Sequence, residues 1–216
     1  MKFNKTAYYV PNQTKNKTNT KTFEQLEGDF SLYADFKLTE FVEDESLIVG
    51  RVGYHMGLFV QRPNGIKFAW YTKPYQYNDI WVSVDDIHKP MKVLVTISET
   101  IKLYINGKLK VEKERGDMES YNDKNIYVGA INPYGGGLEC WFNGDINKIC
   151  IFDESIKEFN EDLKSLYLSF DFNQNSKFKT FDNSGNGNHG IYVENPEYTA
   201  QSINEFNKIA PGAKII

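Results

Sequence analysis

Arginine is nearly absent from this 216-residue chain: Arg51, Arg62 and Arg115 are the only three among 25 basic residues, set against 29 acidic ones for a formal net charge of −4. Nucleic-acid binding rests on many phosphate-neutralising cations, so a mildly acidic, arginine-poor chain argues against nucleic acid as a partner. Long apolar runs are missing as well. None approaches the roughly 18 residues a membrane-spanning helix needs, so no membrane span is expected. Cysteine is limited to Cys140 and Cys150. Extended chain at ~3.3 Å per residue would hold them roughly 33 Å apart, far beyond disulfide reach. Both therefore read as free thiols, which suits a reducing compartment. The opening Met1-Lys2-Phe3-Asn4-Lys5 lacks the apolar centre of a secretory leader, and a cytoplasmic location is expected.

Aromatic residues, in contrast, are plentiful: 15 Phe, 14 Tyr and 3 Trp make up 15% of the chain. With 40% hydrophobic residues overall, the chain can bury a real core, which excludes wholesale disorder. The pattern is that of strands. Phe30, Leu32, Ala34 and Phe36 alternate with Ser31, Tyr33, Asp35 and Lys37, the period-2 signature of a strand with one face on a core. Val93, Val95 and Ile97 repeat it. Asn64-Gly65 and Asn106-Gly107 each sit between two such runs and predict hairpins. Between Trp141 and Phe152 the apolar positions change parity, from Phe142, Gly144 and Ile146 to Ile149 and Ile151; a β-bulge near Asn147-Lys148 would return both sets to one face. One short helix is expected over 155–163, where Ile156, Phe159 and Leu163 fall at i, i+3 and i+7 behind the capping candidates Asp153 and Ser155. Many short strands with regular turn signals predict an all-β sandwich of the jelly-roll type.

Four stretches together resemble the laminin-G-like, concanavalin A-like lectin and glucanase jelly-roll family. They are Asp29–Leu38, the Leu103–Lys108 hairpin, Phe142-Asn143-Gly144-Asp145-Ile146 running on to Phe152, and Leu168–Phe172 with the loop Asp182–Gly190. In the usual family member the last of these comes first in the chain, so the strand order here resembles a permutation of the family's. The expected organisation is an N-terminal strand and flexible polar arm over 1–24, the sandwich over 25–200, and a tail over 201–216. That tail reads as a final edge strand or as the start of a following domain.

Glucanases of this architecture carry a Glu-x-Asp-x-x-Glu motif with paired carboxylates facing a cleft, and the chain has none. Glu43-Asp44-Glu45 is contiguous, so its side chains point to alternating faces, and it reads as a solvated loop. His55, His88 and His189 are scattered without triad or metal spacing. No catalytic residue is expected. Sugar recognition needs aromatic rings to cover the apolar face of a pyranose and polar groups for its hydroxyls. Arg51, Tyr54, His55, Tyr71, Trp81, Tyr134 and Trp141 supply these types, and Tyr75 and Tyr77 stand close by in sequence, although aromatics also fill the core and rim of any sandwich. Because Ile66, Phe68 and Trp70 share parity, Tyr71 is expected to face outward. Asp182, Asn186 and Asn188 gather oxygen ligands, and the resemblance implies a structural calcium there helped by Asp145, while the same side chains could simply close turns. The expected function is a non-catalytic lectin-like module for a glycan or polysaccharide. The alternative is a structural or targeting accessory domain, covalently linked to a larger bacterial glycosyltransferase.

Overall fold

The computed structural model describes residues 2–3, 6–10, 28–51, 56–118, 126–131, 139–173, 179–194 and 197–198. They form two antiparallel sheets. The first contains β1 (Lys2–Phe3), β12 (Phe142–Phe152), β3 (Phe30–Phe41), β8 (Met91–Ile97), β9 (Thr100–Ile105) and β10 (Lys108–Glu114) in that order, with β13 (Leu166–Asp171) also paired to β12. The second runs β14 (Lys179–Thr180), β15 (Gly190–Glu194), β2 (Thr6–Val10), β11 (Ile126–Val128), β4 (Glu45–Arg51), β5 (Met56–Gln61), β6 (Gly65–Thr72) and β7 (Gln76–Ser83), with β16 (Glu197–Tyr198) on β15. Strands from the two ends of the chain meet in both sheets: β1 and β13 share an edge of β12, and β2 pairs with β15. Phe3, Ala7 and Tyr8 are buried, so the sandwich takes in residues ahead of the boundary expected at 25. The tail beyond residue 198 and the arm over 11–27 lie outside the described residues.

The alternation in the sequence explains the core. Phe30, Leu32, Ala34 and Phe36 of β3 and Ile66, Phe68 and Trp70 of β6 belong to one contiguous apolar core. Each fully buried Phe contributes about 1.5–3 kcal/mol relative to an exposed one. The parity change in β12 is resolved as expected: the register with β3 shifts between Ile146 and Lys148, and Ile149 and Ile151 join Phe142 and Ile146 inside. Gly144 has a packing reason, since a Cβ there would run into the Lys37 carbonyl and Leu38 of β3.

One local expectation is corrected. The helix over 155–163 does not form, and the described residues contain no helix. Tertiary and side-chain partners outcompete helical hydrogen bonds there. Ser31 Oγ donates to the Glu154 carbonyl at 2.8 Å and accepts from the Ile156 N–H at 2.9 Å, while Asn160 Oδ1 takes the Asp162 N–H. The apolar positions keep their purpose: Phe159 stacks on Tyr33 at 3.7 Å, and Ile156 and Leu163 pack with Phe152 and Leu94 over the outward face of the first sheet. Both expected hairpins form, with turns of different length. Gln61 pairs with Gly65, so the turn is the three residues Arg62-Pro63-Asn64 and the glycine belongs to β6. Asn106-Gly107 forms the expected two-residue turn, with φ of 50° and 76°.

Candidate functional site

Register fixes what the outward face of the second sheet presents. In β6, Ile66, Phe68 and Trp70 point inward, so Gly65, Lys67, Ala69 and Tyr71 point outward. Across to β7, Lys67 pairs with Trp81, Ala69 with Asp79 and Tyr71 with Tyr77. Across to β5, Lys67 pairs with Phe59 and Gly65 with Gln61, and Gln61 in turn pairs with Glu45 of β4.

The centre of this face is polar and covered. Lys67 is 4% exposed and makes an ion pair with Glu45, whose carboxylate also accepts from Gln61 Nε2 at 2.8 Å. The Lys67 ammonium lies 5.0 Å from the Phe59 ring centre and 5.9 Å from that of Tyr77. Aromatic faces thus supply part of the environment that water would otherwise give a buried ammonium. The margin of the face is aromatic and open. Trp81 is 44% exposed, Tyr77 48% and Tyr75 70%, while Tyr71 meets Tyr77 edge-on at 5.6 Å. The Trp81 indole lies over Gly65, filling the space a Cβ would occupy, which explains a glycine inside a strand. Burial and the neighbouring Asp79 and Glu45 carboxylates push the Tyr77 phenol above its ordinary range, so its hydroxyl stays protonated and hydrogen-bonded to Asp79.

The candidate ligand residues divide sharply. Tyr71 and Trp81 come together on this face. Arg51 pairs with inward-facing Met56 and is on the opposite parity. Trp141 corrects the expectation: it is 5% exposed, its ring packed against Ala7 and Ala130, and it offers no face to a ligand. Tyr54, His55 and Tyr134 lie outside the described residues. Sequence reasoning missed Lys67, Asp79 and Gln61, and it read Glu45 as part of a solvated loop. Only Asp44 of that acidic run is fully open; Glu43 accepts from the Cys140 N–H and Glu45 holds Lys67.

The Asp182 loop does not fit a calcium ion. Asp182 Oδ1 accepts from the Ser169 and Ser184 N–H groups, and Oδ2 accepts from Ser184 Oγ and the Asn188 N–H, at 2.8–3.0 Å. A carboxylate has about four acceptor sites, and all are taken by donors. Asn186 and Asn188 spend their amide N–H groups on the Tyr167 carbonyl. Asp145 is four residues along β12 from Ile149, whose partner Phe170 bridges Asp182, hence roughly 13 Å away along the strand. Asp182, Asn186 and Asn188 form a turn-closing network instead. Among the described residues no group of three or more His, Cys, Asp or Glu side chains could hold a metal, and no helix is long and apolar enough to cross a membrane.

A sandwich of two antiparallel sheets with this register defines the jelly-roll class of the concanavalin A-like folds. Residues 11–158, more than half of the chain, match the model of the concanavalin A-like lectin/glucanases superfamily, and the chain belongs to that family. Its fold is similar to that of a Bacteroides ovatus protein proposed to bind carbohydrate, with TM-score 0.64 at 15% identity over 90% of this chain and 59% of that one. The chain thus spans about three fifths of that protein's length. It is also similar to the CBM40 module of the Ruminococcus gnavus IT-sialidase, with TM-score 0.54 at 14% identity over 62% of this chain and 80% of that one. The same module bound to α2,3-sialyllactose gives TM-score 0.53 at 13% identity over 62% of this chain and 81% of that one. No curated protein sequence matches the chain.

Proposed function

We propose that this chain is a non-catalytic carbohydrate-binding module that holds its glycan on the outward face of β6 and β7. The observation that carries the reading is the trio Tyr71, Tyr77 and Trp81 on one face of adjacent strands, with Trp81 and Tyr77 about half exposed. Exposed aromatic patches of this kind mark binding surfaces. Asp79, on the same face between Tyr77 and Trp81, supplies a hydroxyl partner. The fold neighbours support the same class, one of them described with a sialyllactose in place. A non-catalytic role fits the placement of Glu45 and Asp79, two described carboxylates of this face, on strands three places apart and so roughly 14 Å apart laterally. Retaining hydrolysis needs carboxylates about 5 Å apart.

A glycan array probed with the full chain tests the proposal. Binding that is lost in Trp81→Ala and Tyr77→Ala, with both variants still folded, is the expected result. An array without hits removes this function and favours the accessory-domain alternative.

A further inference from the structure

The charge and the length of the aromatic margin define a class of glycan, an inference that rests on the binding function proposed above. Among the described residues, three cations near the margin are paired with carboxylates, and a fourth, Lys113, is turned to a backbone carbonyl and an inward-facing ring. Lys67 is buried against Glu45, Lys73 beside Tyr75 pairs with Asp117 at 3.4 Å, and Arg62 pairs with Asp44 at 3.7 Å. Lys113 donates to the Asp79 backbone carbonyl at 3.1 Å and lies over the Trp70 ring. The Asp79 carboxylate, facing outward between Tyr77 and Trp81, is hydrogen-bonded to Tyr77 and makes no ion pair among the described residues. Among the described residues, this outward face therefore carries the Asp79 carboxylate at its aromatic margin, and the Lys67 ammonium on it is already held by Glu45.

Length adds a second constraint. Tyr77 and Trp81 share the outward parity of β7 four residues apart, which spans roughly 13 Å, and Tyr75 prolongs the row at the β6–β7 turn. One pyranose cannot cover that distance. Both rings flank the edge of the sheet, where no further strand among the described residues closes either end of the row.

We infer that the site takes an internal segment of an uncharged polysaccharide, three or more sugar units laid along β7, and rejects sialylated and uronic-acid glycans. The discriminating experiment titrates the full chain against matched probes: lactose with α2,3- and α2,6-sialyllactose, galacto-oligosaccharides with oligogalacturonides, and gluco-, manno- and xylo-oligosaccharides of one to six units. Affinity is expected to rise from dimer to tetramer, and each acidic probe to bind about tenfold or more weakly than its neutral counterpart. An acidic probe bound as tightly as its counterpart, or a monosaccharide bound as tightly as its tetramer, overturns the inference while the binding function stands. No binding to any probe overturns both. Glu45→Gln keeps an acceptor for Gln61 but frees the Lys67 charge, so the gap between neutral and acidic probes should narrow several-fold; an unchanged gap counts against the charge argument. Asp79→Asn, at the sheet edge, reads the same charge independently of the buried pair.

Discussion

The two outward faces of the sandwich carry similar residues and treat them differently. On the first sheet Tyr33, Leu94 and Phe152 point away from the core, yet the segment 153–165 folds back and buries them beneath Ile156 and Phe159. On the second sheet Tyr77 and Trp81 also point away from the core, and they remain about half exposed. Outward aromatics covered by the chain itself stabilise the fold. Outward aromatics left open are where a ligand can supply the missing cover.

Substitutions on the two faces should break the comparison in opposite ways. Phe152→Ala, on the covered face, is expected to cost about 3–5 kcal/mol in urea unfolding with any glycan affinity of the folded fraction unchanged. Next in size is the Asp182 network, where Asn in place of Asp182 loses acceptors for two or more buried donors. Asp182→Asn should cost about 2–4 kcal/mol, while EDTA should leave the melting temperature of the wild type where it is. A fall in melting temperature with EDTA would restore the cation reading. Trp81→Ala, on the open face, should cost about 1 kcal/mol or less and abolish glycan binding. A large stability loss there would make Trp81 a packing residue and erase the contrast. Least visible is the thiol beneath the covered face. Burial pushes the Cys150 thiol up to about 12, and Cys140 is buried too. Native protein at pH 8 should therefore react negligibly with a thiol-directed reagent, and should yield both thiols only after unfolding.

Much of this architecture is legible in the sequence because burial imposes period-2 alternation. β3, β8 and β9 read directly, and even the β12 bulge shows as a parity change. The helix over 155–163 misleads because its spacing fits both a helix and a covering segment, and the deciding partner, Ser31, is more than a hundred residues away. The site is less legible for a related reason. Edge strand β7 has Ile80 and Val82 on one parity and Tyr77 and Trp81 on the other, so both faces look apolar and the alternation is blurred. Lys67 and Glu45 stand 22 residues apart, and only the β4–β5–β6 register brings them together. Trp141 resembles Trp81 in composition terms; the packing against Ala7 and Ala130 separates them, and nothing local to either tryptophan announces it.

Tryptophan fluorescence offers the most direct test of the site. The chain has three tryptophans, and Trp70 and Trp141 are buried at 0% and 5% exposure, so Trp81 is the one open to an aqueous quencher. Saturation with the tightest-binding neutral oligosaccharide should protect the wild type from iodide quenching, and Trp81→Phe should remove both the quenching and the protection. Glycan binding that leaves the quenching of Trp81 unchanged would place the ligand elsewhere and contradict the account.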